Sequence, residues 1–195
     1  MALNESLPLF PLHAVLLPGA ALGLRVFERR YLDMVSDCGR NGHGFGICLI
    51  LEGEEAGVPA MPAAFGTEAL IEDFDTGEDG LLNLQIRGAR RFHVARTRVR
   101  DNGLVMVDVT WCEADLDDAV RPEHALLATL LQHLLEQVGG EHSKVSNARF
   151  DDAAWVGWRL AEFLPISESQ RLALLQEDDV HARLDQLLHL IPGAE

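Results

Sequence analysis

Two periods run along the chain. Up to about residue 113, apolar positions recur at every second residue. Leu82, Leu84 and Ile86 alternate with Asn83, Gln85 and Arg87, the pattern of a strand with one face in a core and one in water. Val105, Val107, Val109 and Trp111 alternate with Met106, Asp108, Thr110 and Cys112 in the same way. A strand over 91–100 reaches this second run through Asp101-Asn102-Gly103. Asn-Gly accepts the positive φ angles of a tight hairpin, so the two strands are predicted to pair antiparallel. Thr76-Gly77-Glu78-Asp79-Gly80 similarly links a strand over 68–74 to one over 81–87. One helix interrupts the strands, over 28–38. Tyr31, Met34, Val35 and Cys38 fall at i, i+3, i+4 and i+7 on one face, and Gly39 is placed as its C-cap.

Beyond the acidic, apolar-poor stretch EADLDDAVRP (113–122) the period becomes that of a helix, and the junction between two regions is placed there. Residues 1–113 are read as a β-rich unit and 114–195 as a helical one. Leu126, Leu127, Leu130, Leu131, Leu134 and Val138 form one wide stripe, ended by Gly139-Gly140. A second helix starts near Asp151 and Asp152, whose carboxylates suit an N-cap and the dipole behind it, and runs to Leu164-Pro165. The third opens with Ser167 and Gln170, a capping-box pattern. The fourth carries Leu184, Leu187, Leu188 and Ile191 and stops at Pro192-Gly193.

Composition narrows the class. At 195 residues the chain is one domain or two small ones sharing an interface. A chain of this size removes roughly 70% of its unfolded surface from water, enough for a core without staples. No apolar run approaches the roughly 20 residues that span a bilayer. MALNESLPLF has no basic residue ahead of its apolar stretch, so it is not read as a secretory signal, and a cytoplasmic location is expected. Sixteen basic against 31 acidic residues leave a net charge of −15, which makes nucleic acid and anionic membranes poor partners. Cys38, Cys48 and Cys112 include no CxxC pair and are read as reduced, buried thiols. A zinc site from Cys38, His43 and Cys48 would lack a fourth ligand, so no metal site is assigned.

The opening run LPLFPLHAVLLPGAALGLRVFERRYLDMV (7–35) closely resembles the start of the LON N-terminal domain. That domain is the substrate-recruiting region at the head of ATP-dependent Lon proteases, and it also occurs free-standing in small bacterial proteins. Further similarity follows in order at FGICLI (45–50), FGTEALIEDFD (65–75), GLLNLQIRGARRFHV (80–94) and the tail WRLAEFLPISESQRLALLQEDDVHARLDQLL (158–188). Arg29 departs from the pattern, since the family often has proline there, suited to a first helical turn but not required in it. The resemblance implies an α+β fold: a PUA-like β pseudo-barrel with one inserted helix, followed by a C-terminal helical bundle. It further implies a region that contacts substrates and does no chemistry.

The residues themselves offer no engine. There is no GxxxxGKS/T loop to cradle phosphates, no GxSxG elbow and no HExxH helix. A Ser–Lys dyad needs a buried lysine facing a serine, and Lys144, the only lysine, lies beside Ser143 in a Gly-Gly-Glu-His-Ser-Lys loop. Gly42-His43-Gly44-Phe45-Gly46 leads into a strand instead of a helix, so no dipole end would meet a phosphate. His124, His133, His181 and His189 lack a shared face and are read as surface or half-buried residues. No catalytic residue and no cofactor are therefore expected.

Arg87, Arg90, Arg91, Arg96, Arg98 and Arg100 are the one basic concentration. Arg96, Arg98 and Arg100 are expected on one strand face, either solvated beside carboxylates or anchoring a partner. Trp155 and Trp158, at i and i+3, are either core or an aromatic binding edge. The function read from this is a non-catalytic module that binds unfolded or exposed polypeptide segments, with a protease supplied by another chain as a further candidate partner. The alternative is a PUA-like domain for a small ligand or RNA. An exposed apolar groove beside the barrel favours the first, and a deep polar pocket lined by the arginines the second.

Overall fold

The computed structural model describes residues 5–193, so the first four residues of the stretch read for a leader lie outside it. The chain forms two compact units that adjoin in sequence at Cys112 and Glu113.

The first unit contains β1 (Glu5–Leu12), β2 (Ala21–Val26), α1 (Arg29–Asn41), β3 (Phe45–Glu52), β4 (Met61–Thr76), β5 (Leu82–Val99) and β6 (Val105–Trp111). The strands pair in the order β2-β5-β4-β3-β1-β6, and β6 also pairs with β5. The sheet therefore returns on itself through β5, β4, β3, β1 and β6, the pseudo-barrel expected, while β2 lies along the first half of β5. β1 and β3 run parallel, and the other pairs are antiparallel. Bulges between Thr67 and Ala69, Ile71 and Asp73, and Val94 and Arg96 bend the long strands so that closure is possible.

The strands expected over 81–87 and 91–100 are one strand, β5, of 18 residues. Alternation fails at Gly88-Ala89-Arg90, but the backbone stays extended because Gly88 is bonded on both sides. Its N–H donates to the Ala20 carbonyl (2.9 Å), and its own carbonyl accepts from Gly19 N–H (2.8 Å). Inside the ring, Leu7, Leu9, Cys48, Phe92, Val105, Val107 and Val109 form the core. Phe92 fits because Gly46 and Gly66 have no side chains: a Cβ on Gly66 would stand 2.6 Å from its Cζ.

Both expected hairpins form, with one difference. Arg100 N–H donates to Leu104 O and Gly103 N–H to Arg100 O, each at 2.9 Å; Gly77, Leu81 and Gly80 repeat the pattern at 2.9 Å. Only the glycines, Gly103 (φ 85°) and Gly80 (φ 80°), take positive φ in these turns. These are three-residue loops closed by a glycine bulge, and Asn102 stays out of the left-handed region. α1 also outruns its predicted end. Gly39 lies within it, and the cap is Gly42 (φ 67°), whose N–H donates to Cys38 O at 2.9 Å. The left-handed conformation there is what a helix C-terminus asks of glycine.

The second unit contains α2 (Ala125–Val138), α3 (Ala153–Phe163), α4 (Glu168–Gln176) and α5 (Val180–Leu190). The predicted caps are present: Asp152 accepts from Trp155 N–H, and Ser167 and Gln170 form the reciprocal box. Asp179 adds another by accepting from His181 and Ala182 N–H. The stripe on α2 is narrower than expected. Its buried row is Leu127, Leu131 and Leu135, at i, i+4 and i+8, whereas Leu126 and Val138 are 56% and 52% exposed. Arg171 holds the C-terminal end of α3, donating to the carbonyls of Ala161 (2.8 Å), Leu164 (2.9 Å) and Ile166 (2.9 Å). Carbonyls past the last helical turn need such partners.

Candidate functional site

Strand β4 overruns its neighbour. Its pairing with β3 ends at Phe45 opposite Ala69, while its pairing with β5 continues to Thr76 opposite Leu82. Residues 70–76 therefore keep one edge without a strand among the described residues. α1 lies across from that edge, leaving an open cleft of about 570 Å³ whose lining includes Leu32 and Val35 of α1, Leu70, Ile71 and Phe74 of β4, and Leu82. Phe74 is 68% exposed and Leu70 43%, a large apolar surface left in water. Glu72 stands at the rim and is bridged by Arg87, whose hydrogen bond lowers the Glu72 carboxyl below its ordinary range.

A second apolar cleft, about 400 Å³, lies along β2 and includes Phe10, Leu12, Leu24, Val26, Phe27 and Tyr31. Burial pushes the Tyr31 hydroxyl up, so it stays protonated. A third cleft, about 520 Å³, is mixed in character and includes Ser6, Met34, Asp37, His43, Arg98 and Arg100.

The arginines do not make one free positive face. Arg96 and Arg98 lie in β5, but Arg100 follows it and opens the turn to β6. Arg98 is held by Asp108 Oδ1 (2.9 Å) and Ser6 Oγ (2.8 Å). Arg90 pairs with Glu68 (2.7 Å) and lies 3.6 Å over the Trp111 ring, and Arg91 is buried. Strand alternation sends this run to both faces, where carboxylates meet several of its members. Arg98 and Arg100 line part of the third, mixed cleft, and Arg87, Arg90, Arg91 and Arg96 line none of these three clefts.

The tryptophans separate as well. Trp158 is 4% exposed and belongs to the core of the second unit, which corrects the reading of a binding edge. Its Nε1–H donates to Asp115 Oδ2 (2.7 Å), and the Arg183 guanidinium stacks 3.7 Å from its ring. Trp155 is half-buried and meets Phe150 edge-on at 5.4 Å.

Two histidines differ from expectation. His124 (1% exposed) and His181 (8%) are buried and stacked, with ring centroids 6.0 Å apart. His124 Nε2 meets Asp185 Oδ1 at 2.6 Å, and His181 Nε2 meets Asp118 Oδ2 at 3.0 Å. Helical spacing within one segment could not reveal carboxylates supplied from 61 and 63 residues away. Cys38 and Cys48 are buried, which pushes their thiols up to about 11 and about 12. No group of three or more His, Cys, Asp or Glu gathers to hold a metal among the described residues. Lys144 is 70% exposed beside Glu141 (3.4 Å), without the burial a lysine base requires. No helix of the described residues is long and apolar enough to cross a membrane.

A closed β ring with an inserted helix, an open apolar cleft between them, and a helical unit behind it in sequence define an α+β binding module. The chain belongs to the family of the ATP-dependent protease La (LON) substrate-binding domain, whose pattern it matches over residues 6–192. It is similar to a Lon N-terminal domain protein from Xanthomonas campestris, at 62% identity and a TM-score of 0.83, covering 96% of this chain and 99% of that one. The N-terminal domain of a Lon protease from Mycobacterium avium complex shares the fold at 17% identity and a TM-score of 0.67, covering 95% and 97%. No curated protein matches the chain.

Proposed function

We propose that the chain is a non-catalytic module that captures exposed apolar segments of other polypeptides. The observation that carries this is the open cleft between α1 and residues 70–74, with Phe74 and Leu70 left in water at its mouth. An apolar surface of this kind gains by covering itself, and an unfolded chain offers what covers it. Family membership in the substrate-binding domain of an ATP-dependent protease supports the reading, and it supports a protease as a further partner. The second class considered, an RNA or small-ligand domain, would need cations free to meet phosphate; here Arg87, Arg90 and Arg98 are engaged by carboxylates, in a chain of net −15.

The test is titration of denatured, labelled casein against wild type, Phe74→Ser and the Arg96→Ala/Arg98→Ala double variant. Affinity is expected near micromolar, since a flexible partner loses entropy on ordering. Phe74→Ser should weaken binding about tenfold, and the double arginine variant by about twofold or less. Phe74 is exposed, so its loss should leave the fold intact by circular dichroism. Equal affinity of wild type and Phe74→Ser overturns the reading, as does tight RNA binding with a steep salt slope. The purified protein is expected neither to hydrolyse ATP nor to cleave casein.

A further inference from the structure

Strand β4 leaves main-chain hydrogen-bonding groups along residues 70–76 without a strand beside them, directly at the mouth of the apolar cleft. Exposed strand edges invite pairing with other chains, and proteins blunt them with charge. Here residues 70–79 carry Glu72, Asp73, Asp75, Glu78 and Asp79 and no basic residue. Arg87 bridges Glu72 and Arg25 bridges Asp79, while Asp73, Asp75 and Glu78 stand exposed. Each arginine of α1 is already engaged: Arg29 by Asp33 (3.1 Å), Arg40 by Asp37 (3.9 Å), and the buried Arg30 by Glu28 (3.1 Å) and the Gly103 carbonyl (2.8 Å). The edge is thus without a neighbouring strand and acidic in charge, with a bulge between Ile71 and Asp73 and the Phe74 N–H held by Asp73 Oδ1 (2.9 Å), a bond that an incoming strand would replace. A second copy pairing edge to edge would set like charges opposite one another, which is destabilising in a sheet. A basic strand would not meet that barrier.

We propose that the ligand binds as an added β-strand along residues 70–76, and that it is an extended segment alternating apolar with basic side chains. This rests on the capture function proposed above and specifies its geometry. An added strand lies about 4.8 Å from β4, and its side chains alternate between two faces. One face sends apolar groups into the cleft beside Phe74, Leu70 and Val35; the other leaves lysine or arginine near Asp73 and Asp75. Affinity then comes from main-chain bonds that any sequence can make, and selection from the alternating pockets and the charge. Such a site suits a module that must accept many segments. It also separates the binding edge from Arg96 and Arg98, which lie on the stretch of β5 paired with β6.

The experiment uses the full chain and four labelled decapeptides. One alternates valine and lysine. Two are its N-methylated forms, carrying methyl groups at the even or at the odd residues, and the fourth has glutamate for lysine. N-methylation of the edge facing β4 removes donors and blocks approach, so one methylated form should lose about tenfold or more in affinity while the other stays within about twofold. The glutamate peptide should bind more than about tenfold more weakly at low salt, with the gap narrowing as salt is raised. Amide hydrogen exchange should slow in residues 70–76 when the valine–lysine peptide is bound. Equal binding of both methylated forms and the parent overturns strand addition, and so does protection appearing elsewhere. If casein still binds through Phe74 while the parent peptide does not bind, strand addition fails and capture stands. If casein binding ignores Phe74→Ser, the capture reading fails and takes this one with it.

Discussion

Replacing Gly46 with alanine tests the packing that closes the ring. A new Cβ there would stand 2.9 Å from Phe92 Cζ, 3.2 Å from Leu9 Cδ1 and 3.3 Å from Phe92 Cε1. Two opposed effects act. Alanine stiffens the unfolded chain relative to glycine, a gain of about 0.4–1 kcal/mol where the site is unstrained. Overpacking a full core costs about 1–3 kcal/mol, and Phe92 and Leu9 are both fully buried with nowhere to move. The steric cost should win, leaving a net loss of about 1–2 kcal/mol. Because every clashing atom belongs to a side chain, Phe92→Leu should relieve it. That variant alone costs about 1–2 kcal/mol for the cavity it leaves. Together the pair should cost less than the sum by at least about 1 kcal/mol, a coupling between neighbours that a double-mutant cycle measures. Urea titration followed by hydrogen-exchange mass spectrometry of peptides from β3 and β5 reads the first unit separately. A neutral or stabilising Gly46→Ala, or strict additivity of the pair, would refute the argument.

Arg183→Ala should destabilise the second unit by about 3–5 kcal/mol, because Asp115 would keep a partly buried carboxylate without its cation (3.0 Å) and Trp158 would lose its stacked partner; a loss under about 1 kcal/mol in urea unfolding would contradict this. Thiol labelling of the folded protein should modify Cys112 first. Cys38 and Cys48, pushed up to about 11 and about 12 by burial, should stay unmodified from pH 7 to 9. A thiol held above its unfolded value stabilises the fold fully below that value, and the contribution fades as pH climbs toward the folded one. Rapid modification of either thiol at pH 8, counted by mass spectrometry, would show that the core opens.

Phe74, the more exposed of the two phenylalanines left in water, lines the open cleft. Phe74 lies between Asp73 and Asp75, so the sequence carries a faint sign of it: an aromatic flanked by acids at the far end of a strand. Alternation alone assigns such a residue to a core, and nothing local shows that β3 stops short. The arginine run illustrates the reverse. Six arginines between 87 and 100 look like a patch in one dimension, yet pleating divides them between faces, and Glu72, Glu68 and Asp108 reach several from other strands.

Local rules carried the elements themselves. The capping box at Ser167 and Gln170, the N-cap at Asp152, the alternation of β6 and the glycine turns before β5 and β6 depend on residues within a few positions of one another. Such preferences act before any tertiary contact forms, so sequence alone determines them. What waited for the folded chain depends on partners distant in sequence. Gly88 keeps β5 continuous because Gly19 and Ala20 bond to it. His124 and His181 are buried because Asp185 and Asp118 meet them. Trp158 is core because Arg183 and Asp115 enclose it. The cleft exists because β4 pairs with β5 for longer than it pairs with β3. Strand length against two neighbours is a property of the whole sheet, and burial is decided by which surfaces meet, so neither can be read from one segment's periodicity.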